Sequence, residues 1–422
     1  VSLALIITPA KTNPQRLTLS ARPVNMIENA YPGADDCGVV VVGNFVRSVF
    51  EAHGVRIPAT PGMRRNSSFS LRRGISLLSA FLIFFLVPPL HAQEQPDDPK
   101  PVPVIIGGAG FIATFDGGEP HLGPLIAPVL LVPIENRWLI ESRATFEADM
   151  TQRPGSSSFH GQVLKSIDYL QLDFIANPYL TVTVGRFLTP FGIFNERLYP
   201  IWIRNLQTDP LILPIGVGPS NASTGAMVRG GFQATPKFNF NYAVYFSALS
   251  TVTLSNVTPL DSDRFVGGRA GIFIPNARLE IGGSFQHLLQ DERSNSFGFH
   301  GGWQPPALPL EIRGEYQRSA RGSGYWIEPA YRLNQVPFWQ YAMRRTQLVA
   351  RLQQYWVGAL PSDVLPSANT RQFEFGVNYY FRDGLRAVSS YGRQFSETGN
   401  MNIWTIGLTY RFAFPLGHGD EN

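Results

Sequence analysis

Three features of this 422-residue chain predict an all-β fold, a transmembrane antiparallel β-barrel. Charged residues make up only 16%, whereas soluble globular chains carry about a quarter. Period-2 alternation of apolar and polar residues returns in segments of about ten residues, the length a tilted membrane strand needs. The connections alternate between tight and long, as when short turns line one rim and long loops the other. Abundant Gly (40), Phe (30) and Tyr (15) suit the same class. Beyond the first quarter no stretch reaches the roughly 20 apolar residues of a membrane helix. Mean hydropathy is close to zero, as it is when lipid-facing and water-facing side chains alternate.

The N-terminal part reads as an address. From Met63 the chain runs MRRNSSFSLRRGISLLSAFLIFFLVPPLHAQEQ. Arg64, Arg65, Arg72 and Arg73 form a positive segment, Ser76 to Val87 an apolar core, and Pro88 and Pro89 break it. Leu90-His91-Ala92 offers a cleavage site before Gln93. Residues 63–92 are therefore expected to be a secretory signal peptide, with a short anchoring helix as the alternative. No secretory signal begins behind a long leader, so residues 1–62 are expected to be an over-extended gene start outside the mature protein. Residues 93–103, rich in Pro and acid, read as a periplasmic lead-in, 104–414 as the barrel and 415–422 as a tail.

Charge excludes one partner class. Residues 1–92 hold 9 Lys and Arg against 4 Asp and Glu, which leaves 26 against 27 of the chain's 35 and 31. The remainder is near neutral, so no basic surface is left for nucleic acid. The single cysteine, Cys37, rules out a disulfide framework or a Cys-based metal site.

The strands follow in order from Val104. The cleanest is Asn402 to Phe414, with Trp404, Ile406, Leu408, Tyr410, Phe412 and Phe414 on one face and Thr405, Gly407, Thr409 and Arg411 on the other. Gln372 to Phe381, Phe238 to Phe246 and Trp138 to Asp149 repeat the pattern. So does the stretch around Leu348, which places Arg345, Gln347, Arg351 and Gln353 inward. A lipid-facing Arg at mid-bilayer costs about 2–4 kcal/mol, so charges collect on the inner face. Asp168 and Arg186 break parity and are expected at strand ends, absorbed by snorkelling or a bulge. The count is 16 strands, with 14 as the fallback. The weakest are 123–133 and 325–333, interrupted by prolines. Longer connections are expected near 150–161, 188–222, 249–263 and 357–370.

Lumen-facing charges by parity are Glu141, Arg143, Glu147, Arg229, Arg313, Arg351, Arg393 and Arg411, among Glu311, Glu315 and Glu374. Signs are mixed, which implies a field across the bore rather than a filter of one sign. Segment 188–222 is the best functional candidate. Its Glu196, Arg197, Trp202, Arg204 and Asp209, with several prolines, suit a semi-rigid eyelet; the alternative is an exposed surface loop. No catalytic pattern emerges. His121, His160, His287, His300 and His418 all lack the Ser two residues on that a barrel phospholipase places beside its base. His287 reads as interfacial, and Gly107 to Gly110 as curvature rather than a nucleotide loop. No cofactor or metal is expected.

The run Val184-Gly185-Arg186-Phe187-Leu188-Thr189-Pro190-Phe191-Gly192 resembles the phosphate-selective porins of the O and P type. That resemblance implies a 16-stranded homotrimeric porin of the bacterial outer membrane, in contact with its lipid, whose third long loop folds inward. It implies passive diffusion of small hydrophilic solutes or ions. Members that select phosphate use a lysine cluster; here only Lys100, Lys165 and Lys237 follow the signal, so anion preference is left open. A channel specific for phosphate, carboxylate or sugar is the competing expectation, and a barrel enzyme or adhesin the third. Many such barrels end on an aromatic, whereas here Pro415 to Asn422 follow Phe414.

Overall fold

The computed structural model describes residues 102–416, apart from 154, 218–220, 291–292, 361 and 382–383. The expected gene start, signal peptide, lead-in and tail lie wholly or largely outside those residues.

Among the described residues, sixteen strands close one antiparallel barrel. The first seven are β1 (Val104–Phe115), β2 (His121–Ile134), β3 (Trp138–Gln152), β4 (Phe159–Asn177), β5 (Leu180–Leu188), β6 (Ala222–Thr235) and β7 (Phe238–Ser247). A small hairpin outside the barrel ladder follows, β8 (Ser250–Val252) with β9 (Leu260–Ser262). The wall resumes with β10 (Phe265–Ile274), β11 (Leu279–Leu288), β12 (Asn295–Trp303), β13 (Leu310–Ser319) and β14 (Gly322–Arg332). It ends with β15 (Thr346–Val357), β16 (Thr370–Tyr380), β17 (Leu385–Ser396) and β18 (Gly399–Pro415). β1 pairs with both β2 and β18, so neither edge is left open.

Alternation survives in three dimensions. In β18, Trp404, Ile406, Leu408, Tyr410 and Phe414 are exposed on the outer face while Thr405 and Thr409 are buried inside. The proline-interrupted segments are strands too. The β2–β3 ladder skips Gly123-Pro124 and Ala127-Pro128, and the β14–β15 ladder skips Glu328-Pro329. On its other side each strand pairs without a gap. A proline lacks the N–H for one neighbour only.

Both parity breakers have a local solution. The β3–β4 register shifts at Arg143/Ala144, so Asp168 becomes the extra residue of a bulge. Its carboxylate accepts from Arg143 Nε and Thr145 Oγ1, each at 2.6 Å. Arg186 keeps outward parity with the exposed Val184, yet it is buried and donates to the carbonyl of Asp261 at 3.0 Å. Asp261 belongs to β9, so the small hairpin covers a charge that lipid would otherwise meet.

The long connections are 153–158, 189–221, 248–264 and 358–369, all at one rim. The opposite rim, which holds Val104 and Pro415, is the periplasmic one. Its turns span two to six residues, with one exception: residues 333–345 make a 13-residue connection with a helical turn at Gln340–Met343. This corrects the reading of Arg345 as lumen-facing. It lies in that connection, over the Tyr341 ring at 4.0 Å, because strand parity ends at Thr346.

Candidate pore constriction

Residues 189–217 leave β5 and turn into the barrel instead of away from it. Gly192 makes the turn: its φ of 67° is left-handed, and a Cβ there would stand 2.6 Å from the Glu315 carboxylate. Glu315, on β13, accepts hydrogen bonds from the backbone N–H groups of Ile193 and Phe194, the latter at 2.6 Å. These amides open the short π-helical turn Phe194–Leu198, so a carboxylate meets N–H groups that have no partner within the turn.

Two patches of the loop are dry. Ile201 and Trp202 are buried with Ala127 of β2. The Trp202 ring lies on Gly108 of β1, where a Cβ would come within 2.2 Å of it. Phe191, Phe194, Ile212 and Ile215 pack with Trp326 of β14 and Tyr355 of β15. The barrel's inner face at β1 and β2 is itself apolar, with Val104, Ile106, Val129 and Leu131 buried together.

The other contacts are charged. Glu196 pairs with Arg269 of β10 and lies 3.7 Å from Arg229 of β6. Arg197 meets Glu280 of β11 at 2.7 Å, and Arg269 also donates to the Gly192 carbonyl at 2.9 Å. Burial pushes the Glu196 carboxyl up, but Arg269 and Arg229 outweigh it and hold the group at about 2, so it stays ionised. A second cluster joins the loop to β13–β16. Glu328 accepts from Arg313 at 2.7 Å and Arg351 at 2.6 Å, and Arg351 also donates to the Thr208 carbonyl at 2.8 Å. Asn205 donates to Glu328 at 3.1 Å and Thr208 to Glu374. Arg386 of β17 donates to the Ile201 carbonyl at 2.8 Å.

The segment thus spans the bore. It is dry against β1 and β2 and against Trp326 and Tyr355 of β14 and β15, and ion-paired or hydrogen-bonded to β6, β10, β11 and β13–β16. Between Glu196 and Arg229 on one side and Glu141 and Gln171 on the other, a cavity of about 10 Å³ remains. That is room for one water. His300 of β12 is buried, neither ring nitrogen has a hydrogen-bond partner, and Arg269, Arg197 and Glu196 are its charged neighbours.

The five loop residues expected at an eyelet divide into three roles. Glu196 and Arg197 reach the wall; Trp202 is a buried anchor; Arg204 and Asp209 pair with each other inside the loop. Of the lumen-facing set, Glu141 accepts from Tyr169 Oη at 3.0 Å, and Arg143 lies against the Tyr169 and Tyr199 rings. Glu147 is half-buried, with Arg204, Asp209 and Asp149 as charged neighbours. Arg229, Arg313 and Arg351 join the clusters above. Arg411 has inward parity with Thr409 and is exposed towards the periplasmic end of β18. Arg393 is a correction: it shares the outer face of β17 with Tyr391 and Phe395, is exposed, and donates to Asn402 at 3.0 Å. It sits near the strand end, where water replaces lipid. Arg269, Glu280, Glu328, His300 and Arg386 were not singled out from sequence, although each has inward parity in its strand.

No family model matches the chain, and no curated protein matches it. Solved structures do. OprB of Pseudomonas putida, at low pH, is 8% identical, with a TM-score of 0.49 over 83% of this chain and 100% of its own. A loop-deletion mutant of OmpT, an outer membrane protein of Vibrio cholerae, is 11% identical, with a TM-score of 0.48 over 74% and 100%. An anion-selective porin from Comamonas acidovorans is 9% identical, with a TM-score of 0.47 over 73% and 99%. The closed, even-numbered antiparallel wall of this chain, apolar outside and charged within, is itself the architecture of a bacterial outer-membrane β-barrel.

Proposed function

We propose that this protein is an outer-membrane porin that passes small hydrophilic solutes or ions, with residues 189–217 as its constriction and a preference for anions. One observation carries the reading. Glu196 and Arg197 meet Arg229, Arg269 and Glu280, and Glu141 lies across the cavity from Arg229, so three arginines face three carboxylates where the loop meets the wall. A solute crossing here passes through a transverse field, and Arg197, Arg229 and Arg269 form the side of it that an anion follows. The loop is ion-paired here and packed dry against β1–β2 and β14–β15, so the polar seam along β6, β10 and β11 is where side chains yield to a solute. The homotrimer implied by the porin resemblance belongs to the same reading.

Planar-bilayer recording tests it. Under a salt gradient the protein should show an anion-preferring reversal potential, and R229Q with R269Q should move it towards cations. An unmoved potential would remove these residues from the conduction path, and complete absence of conductance would favour an enzyme or adhesin.

A second reading, a channel specific for phosphate or a carboxylate, is favoured by His300. Its unpartnered ring beside the arginines offers one N–H donor to an oxyanion. Conductance that saturates with phosphate, and loses saturation in H300A, would select it.

A further inference from the structure

We infer that the 333–345 turn is a lipid anchor that binds anionic phospholipid headgroups of the periplasmic leaflet. The turn is more than twice as long as its neighbours on that rim. Length alone would be unremarkable, but its content is not that of a solvated loop. Phe338, Trp339 and Tyr341 are 63%, 78% and 70% exposed, Trp339 and Tyr341 being the most exposed large hydrophobics among the described residues. Trp339 also has a left-handed backbone, φ 47°, which a bulky side chain adopts only when its surroundings impose it. The fold therefore accepts strain at the residue it displays.

Charge indicates the occupant. Residues 333–345 contain Arg344 and Arg345 and no Asp or Glu. Arg345 lies over the Tyr341 ring at 4.0 Å, with Tyr379 as its other tyrosine neighbour. Tyr379 is on the outward face of β16 and packs against Phe381 with ring centroids 4.9 Å apart. The turn is thus continuous with the aromatic band that faces lipid. It is pinned there: Thr346 Oγ1 donates to the Ala342 carbonyl at 2.9 Å, and Tyr380 N–H donates to the Arg345 carbonyl at 2.8 Å. Aromatic rings with polar edges settle at the membrane–water boundary, and arginines beside them attract phosphate oxygens. This anchor stands whether or not the barrel conducts.

Full-length barrel, wild type and W339F, would be reconstituted in vesicles of phosphatidylethanolamine with or without phosphatidylglycerol, the acyl chains brominated. Bromine quenching should be greater for wild type than for W339F, with the difference spectrum blue-shifted. Spin-labelled phosphatidylglycerol should be enriched several-fold over phosphatidylethanolamine at the protein, falling towards parity in R344Q/R345Q. Heat-modifiable mobility on gels checks that each variant is folded. An unquenched, red-shifted Trp339 would overturn the proposal and leave the turn to a soluble periplasmic partner. Enrichment unchanged in R344Q/R345Q would overturn the headgroup assignment.

Discussion

The two sides of the barrel hold the same loop by different chemistry. Along β1 and β2 the inner face is apolar, and Ile201 and Trp202 lie on glycines and alanine. Along β10–β16 ionic contacts stand beside the apolar ones at Trp326 and Tyr355, and loop backbone and side chains meet Glu280, Glu315, Glu328 and Arg351. Packing tolerates sliding and small rotations. Buried ion pairs fix position, because separating one strands a charge. The dry wall therefore supplies adhesion and the ionic wall supplies register, which lets the seam beside Glu196 be narrow without being sealed.

The comparison breaks most sharply at Glu328. Glu328→Ala leaves Arg313 and Arg351 buried without their shared partner, a loss of about 3–5 kcal/mol for the wall at β13–β15, and removes the acceptor of Asn205 that ties the loop to it. Single-channel conductance should rise and fluctuate; a conductance equal to wild type would show that the ionic wall does not hold the loop. Next comes the dry wall. Trp202→Ala should cost about 3 kcal/mol of docking. If adhesion and register are separate, it should widen the bore yet leave ion selectivity near wild type, a result read from conductance and reversal potential together.

Acid probes the seam with a smaller effect. The Glu196 carboxyl is held at about 2 against its usual value of 4.5. Its stabilising contribution is complete above about pH 4.5 and is lost as pH falls towards 2. Conductance in Glu196→Gln should thus match acidified wild type near pH 2 and differ from it at pH 7. The smallest effect belongs to Arg393→Gln, on the outer face near the rim. It should change stability by less than about 0.5 kcal/mol and leave selectivity alone, where Arg351→Gln should not.

Strand faces were readable because lipid penalises charge strongly; the same rule explains the failures. It has no force at rims, which is where Arg393 and Arg345 misled. It also weakens where small residues occupy both faces, as in Gly267-Gly268-Arg269-Ala270-Gly271, so Arg269 went unnoticed. Glu328 was hidden by Pro329, which made its strand look broken. Within the constriction, the right segment was legible from its mix of charge, Trp and Pro. Arg229, Arg313, Arg351, Glu315 and Glu374 were also read as lumen-facing, but which loop residue each meets was not legible, since the partners come from separate strands far along the chain, as Glu196 with Arg269 and Ile201 with Arg386 show.

That sequence separation bears on assembly. Phe194 finds Glu315 only after 121 further residues, and Ile201 finds Arg386 only after 185. Until the late strands insert, Phe191 and Phe194 lack Trp326 and Tyr355, so a stalled chain carries a greasy flag for chaperones and proteases. Seating of the loop and closure of the ring are then one terminal event, and contacts so distant along the chain make that event slow.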